Sequence, residues 1–273
     1  MNRIFTTVWS ESRQQWVVAP ELASGGGRPK LTPKKSALAL LLGAVLLQSG
    51  PVMAKNYTDE TLENALQSLN AGDSATNTTV NNGGVQAVNS GGTATHTTVN
   101  YGGVQAVNSG GTATHTTVNE GGQQDVNDGG TATDTILNGG QQHIYNGGTA
   151  TRTTVNEGGQ QDVNDGGTAT DTILNGGQQH IYNGGTATRT TLNSWGWQHI
   201  YSGGTANDTT VNNGGWQHIY SGGTATDTTV NEGGQQDVND GGTATHTTVN
   251  NGGVQSIDGG TATNTTVNNG GVQ

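Results

Sequence analysis

The stretch Thr93–Gly111, TATHTTVNYGGVQAVNSGG, decides the reading of this chain, because its pattern returns almost to the last residue. Full copies start at Ser74, Thr93, Thr112, Thr131, Thr149, Thr168, Thr186, Thr205, Thr224 and Thr243, and an incomplete one runs from Thr261 to Gln273. Successive starts are 19 residues apart, or 18 where one residue is missing. Asn138-Gly139 and Asn175-Gly176 lack the residue before the glycine pair, and Ile257-Asp258-Gly259 lacks one before the second pair. Every loss sits at a glycine turn and none inside a TATxTTV run, so turn length is free where strand length is fixed.

Thr and Val are β-branched and suit strands, while paired glycines permit positive φ and a tight reversal. One unit therefore reads as strand, turn, strand, turn. A unit of this size cannot bury a core alone, but stacked copies can pair every backbone group with the coils on either side. The expected fold is all-β: a β-solenoid, written as a right-handed parallel β-helix with one 18–19-residue coil per repeat. A flattened two-strand solenoid is the alternative geometry. Ten coils at about 4.8 Å give a rod on the order of 50 Å.

Variation between copies assigns the faces. The fourth position changes freely among Asn77, His96, Asp134 and Arg152, which places it in solvent. Strict alternation then turns Thr95, Thr97 and Val99 inward, with Gln105 and Val107 inward on the second strand. Ala94 is constant yet falls on the outward side of that alternation, which calls for a bend or bulge there. The interior is expected to hold Thr, Asn and Gln hydrogen-bond ladders rather than a conventional apolar core.

Composition agrees. The chain has 47 glycines, 29% hydrophobic residues, no cysteine and a formal charge of −11. Residues 55–273 hold three basic side chains (Lys55, Arg152, Arg189) against 18 acidic ones, a formal charge of −15. A surface this acidic argues against nucleic acid as a partner. Lys55 to Asp73 departs from the repeat. Leu62, Ala65, Leu66 and Leu69 lie at helical spacing there, and the segment reads as an amino-terminal cap or leader over the first coil.

Residues 1–54 are of another kind. Lys30, Lys34 and Lys35 precede an apolar run from Ala37 to Leu47, and Pro51-Val52-Met53-Ala54 follows. That order is a signal peptide with cleavage between Ala54 and Lys55, and the run is too short for a spanning helix of about 20 residues. The front part, MNRIFTTVWSESRQQWVVAPELA, resembles the extended signal-peptide region of large Gram-negative autotransporters. Met1-Asn2, Ile4, Val8-Trp9, Val17-Val18 and Glu21-Leu22-Ala23 carry the match, while Phe5, Ser10 and Pro20 depart from the family's Tyr, Asn and Ser. The repeats are similar to those of self-associating autotransporter adhesins of the AIDA/TibA kind.

The resemblance implies export to the cell surface or outer membrane, or secretion, and a passenger role in adhesion or cell-to-cell aggregation. Implied partners are the chain itself, surface glycans or proteins, and a glycosyltransferase acting on outward hydroxyls such as Thr98 or Ser109. Gln273 falls mid-unit and nothing here resembles the family's translocator barrel, so a passenger fragment is expected, periplasmic if the barrel is truly absent.

Two 37-residue blocks, Asn119–Val155 and Asn156–Leu192, are nearly identical, which fits duplication better than a shaped active site. The acids recur in register instead of converging, so no catalytic site, cofactor or metal is expected. One surface stands out. Three successive second strands read QQHIY, WQHIY and WQHIY, which places Gln178, Trp197 and Trp216 in one outward column. His180, His199 and His218 form a second column, and Tyr182, Tyr201 and Tyr220 a third. Such a grid serves as a stabilising aromatic ladder or as an interaction surface; stacked imidazoles do not converge on a metal. The competing function classes are an ice- or glycan-binding solenoid and, more remotely, a β-helical polysaccharide-cleaving enzyme. The inward assignment of Thr95 and Thr97 weighs against ice.

Overall fold

The computed structural model describes residues 5–10, 15–20 and 53–273. The chain divides into two units, Met1–Val52 and Met53–Gln273. In the first, Phe5–Ser10 and Gln15–Pro20 pair antiparallel, with Val8 opposite Val17. The basic and apolar segment from Lys30 to Leu47, read as the signal core, lies outside the described residues.

The second unit is a parallel β-solenoid with three sheets of 12, 11 and 12 strands, which decides for the three-faced form over the flattened one. Each coil gives one strand to each sheet. In the copy quoted above, Thr93–Thr95 lies in the first sheet, Thr98–Val99 in the second and Val104–Val107 in the third. Neighbouring coils pair in strict register, Thr93 with Thr112 and Gln105 with Gln124.

The extra corner sits at the variable fourth position. His96, Asp134 and Arg152 have φ of +55°, +56° and +55°. Asn, Asp and His tolerate this left-handed conformation and β-branched residues do not, which explains the residue choice better than solvent exposure alone. The corner also breaks the alternation and corrects the face assignment. Ala94 is buried at 1%, Thr95 is half-buried on the outward side, and inward pointing resumes at Thr97 and Val99. The bend expected at Ala94 therefore falls two residues later. With Thr95 outward, the argument drawn from it against an ice-ordering face no longer stands.

Gln105 and Val107 point inward as expected, both 0% exposed. The core is thin: a Leu and Val column under the second sheet, and Val, Ile and Ala columns between the first and third. A glutamine ladder runs beside them. Gln105 Nε2 donates to Gln86 Oε1 at 2.7 Å, and the Thr97 hydroxyl donates to the same oxygen at 3.0 Å. The arrangement repeats as Gln124 to Gln105 with Thr116, and as Gln217 to Gln198 with Thr209. Burying amides without partners would be costly, and this ladder removes that penalty coil by coil. Outside, Asn100, Asn212 and Asn231 extend a second ladder at 2.8–2.9 Å.

The second glycine of each pair lies where coils touch. A Cβ on Gly103 would run into the Val80 carbonyl, and one on Gly111 into that of Val88. Residues 55–73 do not follow their helical spacing. Asn56–Thr58, Thr61–Leu62 and Leu66–Leu69 are strands in register with the next coil, so this segment is a coil of the solenoid. Leu62 and Leu69 are buried, and Leu66 is 69% exposed.

Candidate functional site

Gln178–Ile181, Trp197–Ile200 and Trp216–Ile219 are adjacent strands of the third sheet. Alternation within each strand turns Gln198 and Ile200 into the core and leaves Trp197 and His199 outside. Register places Gln178 beside Trp197 and Trp197 beside Trp216, and does the same for His180, His199 and His218. Tyr182, Tyr201 and Tyr220 follow directly, each held by its amide donating to a core residue's carbonyl one coil back at 2.9 Å. All nine residues therefore stand in three outward columns.

The rings stack along those columns. Tyr182, Tyr201 and Tyr220 lie 5.1 Å apart and within 7° of parallel. His199 and His218 stack at 5.3 Å, while Trp197 and Trp216 are 4.8 Å apart and tilted by 45°. Trp197 also covers His218, at 5.4 Å. Gln178 is exposed and the other eight are half-buried, so the rings cover one another's faces and present their edges. A stabilising contribution of about 0.5–1.5 kcal/mol per aromatic pair is the ordinary scale for such contacts.

The histidine column has an electrostatic pattern that the grid did not foresee. It continues backward through Asp162 to His143 and forward to Asp237. Asp162 accepts from His143 Nδ1 at 3.1 Å, from His180 Nδ1 at 3.0 Å and from Gln160 Nε2 at 2.9 Å. Burial opposes its charge, but these donors win and hold its carboxyl well below the usual range. The hydrogen bond to Asp162 raises the pKa of His143. His199 has histidines on both sides instead. Burial first, then His180 and His218, push it down to about 4. A neutral His199 can accept from the Tyr220 hydroxyl, 3.2 Å from its Nδ1. Burial also lowers His218, whose Nε2 is enclosed without a hydrogen-bond partner. Among the described residues no set of three His, Asp or Glu is grouped as metal ligands.

Asp162, one of the acids that recur in register, points outward. It is nonetheless only 8% exposed, because flanking imidazoles close over it. Trp195 is a second residue that the repeat pattern does not account for. It takes the place of the first glycine in its turn, has φ +64° and is 71% exposed. The signal was in the sequence: Ser194-Trp195-Gly196 stands where other copies have a residue followed by Gly-Gly. A third exposed feature is the corner column, where Arg152 pairs with Asp134 at 2.7 Å and Arg189 with Asp171 at 2.6 Å.

Comparison with known proteins bears on this architecture directly. Residues 1–50 match the family model of the extended signal peptide of the type V secretion system. Overlapping segments from 54 to 271 match the model described as "Adhesin of bacterial autotransporter system, probable stalk". The chain belongs to that adhesin stalk family. Similar relatives are the autotransporter CRAC of Citrobacter rodentium and the autotransporter adhesin/invasin TibA of Escherichia coli, each 47% identical over 88 residues. Those matches cover 31% of this chain but only 6% and 9% of the relatives, so the chain corresponds to a small part of their length. The crystal structure of a TibC-catalysed, hyper-glycosylated TibA fragment is similar over 80% of this chain and 96% of that one, with TM-score 0.65 and 41% identity. The extended signal peptide and the likeness to autotransporters support export of the chain to the cell surface or outer membrane.

Proposed function

We propose that this chain is a surface-displayed stalk segment of an autotransporter passenger, and that it promotes adhesion or cell-to-cell aggregation by lateral contact between copies. The observation that carries the reading is the aromatic grid. Three successive coils place Trp197, Trp216, Tyr182, Tyr201 and Tyr220 on one face with their edges half open, where the other repeat coils carry mostly Val, Gln or Asn and only the earlier copied coil adds a lone tyrosine, Tyr145. Partly exposed aromatic patches on a polar surface are favoured contact sites. Cells displaying the chain should settle together, and the variant with Trp197, Trp216, Tyr201 and Tyr220 all changed to Ser should settle several-fold more slowly at equal display. Unchanged settling by a folded, displayed variant would remove the grid from the reading.

Export completes the proposal: the leader is removed between Ala54 and Lys55. The TibA fragment carries sugars added by TibC, and by likeness the exposed Ser109 and half-buried Thr98 are acceptors for a comparable transferase. Amino-terminal sequencing together with intact mass of the exported chain reads both points. A start near Met1, or an unmodified mass in a host that carries the transferase, would count against them. The outward Thr rows of the first sheet are what an ice-ordering face would need, so thermal hysteresis is the measurement for that second reading.

A further inference from the structure

We infer that the notch beside Trp195 is a binding site for a neutral pyranose sugar. Its origin lies in the repeat. The turn between the second and third sheets ordinarily carries a residue ahead of its glycines, as Tyr101, Glu120, Glu157 and Asn213 do. At Asn175-Gly176 that residue is missing, so the wall of stacked turns steps inward there. The gap is a cleft of 340 Å³. Glu157 bounds it from the preceding coil, Asn175 and Gln178 from the short coil, and Ser194, Trp195 and Trp197 from the following one. The volume falls at the lower end of ligand pockets, about 300–1,000 Å³, and suits a single ring with its substituents.

The tryptophan is the feature that the fold does not explain. From Gly83 to Gly270 every other copy has glycine at this place with φ above zero, and Trp195 adopts the same conformation at +64°. A bulky residue is disfavoured there, and such departures concentrate at functional positions. Its indole is 71% exposed, so burial does not offset the strain. Unlike Trp197 and Trp216, it joins no ring stack among the described residues. The duplicated block supplies a comparison within the chain. The earlier short coil at Asn138-Gly139 has the same missing residue, and the matching positions around it are Glu120, Gln141, Glu157, Gly158 and Gln160. Both indoles are absent there. What distinguishes the second notch is the arrival of Trp195 and Trp197 beside an unchanged carboxylate and amides.

That combination fits a sugar. The C–H face of a pyranose packs on an indole, and its hydroxyls both donate and accept. Glu157 offers acceptors, Gln178 and Ser194 offer donors and acceptors together, and Asn175, whose Oδ1 already accepts from Asn193 Nδ2 at 3.0 Å, offers its amide donors. A bare organic cation would use the aromatic faces and the carboxylate but leave the amides idle. The inference gives the adhesion reading a ligand class and rests on that reading only for its biological setting: the notch shares Trp197 and Gln178 with the self-association grid, but Trp195 stands outside it.

The test titrates the full chain with the methyl glycosides of glucose, galactose, mannose and N-acetylglucosamine, and separately with tetramethylammonium. Tryptophan fluorescence gives the affinity, and saturation-transfer NMR shows which sugar protons meet an indole. At least one glycoside should bind saturably with Kd of about 1 mM, as befits a single ring. Trp195→Gly restores the residue of the other copies, so it should fold with an unchanged or raised melting temperature while Kd rises about tenfold or more. Glu157→Gln should weaken binding several-fold. A Trp195→Gly chain that loses sugar but still aggregates leaves lateral contact standing, and a grid variant that keeps Trp197, with Trp216, Tyr201 and Tyr220 changed to Ser, reports on that contact separately. No saturable binding by any of the four glycosides, equal binding by Trp195→Gly, or a response to tetramethylammonium alone would overturn the inference.

Discussion

Gln198→Leu tests what orders the interior. Gln198 is 0% exposed and lies in the strand that carries Trp197 and His199 on its other face. Its Oε1 accepts from Gln217 Nε2 at 2.7 Å and from the Thr209 hydroxyl at 3.3 Å, and its own Nε2 donates to Gln179 Oε1 at 2.7 Å. Leucine preserves the volume approximately but deletes all three bonds. Gln179 Oε1 keeps the Thr190 hydroxyl, at 3.3 Å, so the acceptor side is partly covered. The Gln217 amide and the Thr209 hydroxyl are left buried without acceptors. Each such group costs about 1–3 kcal/mol, with the longer threonine bond at the low end. The leucine side chain returns about 1 kcal/mol of apolar burial, which leaves a net loss of about 1–3 kcal/mol. Because stacked coils need not unfold in one step, hydrogen exchange of the strands around residue 198 should be read beside the thermal transition. Protection should fall in that coil and its two neighbours first. Gln178→Leu, at the exposed position of the preceding coil, serves as control and should stay within about 0.5 kcal/mol of the parent. If Gln198→Leu is as stable as that control, the ladder does not stabilise the core and the apolar columns alone must suffice.

Three further outcomes are expected. His199 has a folded pKa of about 4 against 6.5 unfolded, so the unfolded chain binds more protons between those values and stability falls as pH drops from 6.5 toward 4. The full shift corresponds to about 3 kcal/mol, reduced to about 1.5 by partial exposure, and His199→Ala should flatten melting temperature against pH by that amount. An unaltered acid slope would refute the assignment. His143, whose pKa is raised, has the opposite sign: its contribution is complete below 6.5 and is lost as pH rises through its folded value, so His143→Ala should remove a loss on the neutral side. Ala132→Asp should disrupt folding where Thr133→Asp is tolerated, since only the first buries an unpaired charge; equal damage, by circular dichroism, would contradict the corrected face.

The stacking period, the glycine turns, the inward Gln and Val columns and the register of the aromatic grid were all legible in the sequence. Each follows from a pattern that repeats at fixed offsets. The third sheet was not, because its corner is a single left-handed residue that varies from His96 to Asp134 to Arg152 and contains no glycine. The informative sign was the absence of Val, Ile and Thr at that position. Without the corner, strict alternation carried Thr95 inward and Ala94 outward. Residues 55–73 misled for a related reason. Leu62 and Leu69 are seven apart, which is both two helical turns and the distance between the inward positions of the second and third sheets. Leu66 completed the helical spacing, yet it lies exposed on a strand. The burial of Asp162 was illegible because it depends on imidazoles contributed by the coils on both sides.

The division between inside and outside explains how one repeat can carry a local function. Ladders of Gln and Thr close the interior in every coil regardless of what stands outside, so Ala106, Asp125, His143 and Ser256 occupy one outward column without disturbing it. The outer face is therefore free to diverge after duplication, and the coil that follows the second copied block acquires Trp195 and Trp197. Lateral contact at this face must still overcome like charge. Residues 55–273 carry −15, and acids such as Asp128, Asp165 and Asp240 line the exposed turns that flank the third sheet. At physiological ionic strength the screening length is about 8 Å, comparable to the spacing of less than two coils, so charges a few coils away are largely silent while those beside the grid are not. Association driven by the aromatic edges should therefore tighten as salt rises. Association driven by Arg152 or Arg189 meeting an acidic face of a second copy should weaken. The sign of the salt dependence distinguishes the two surfaces before any residue is changed.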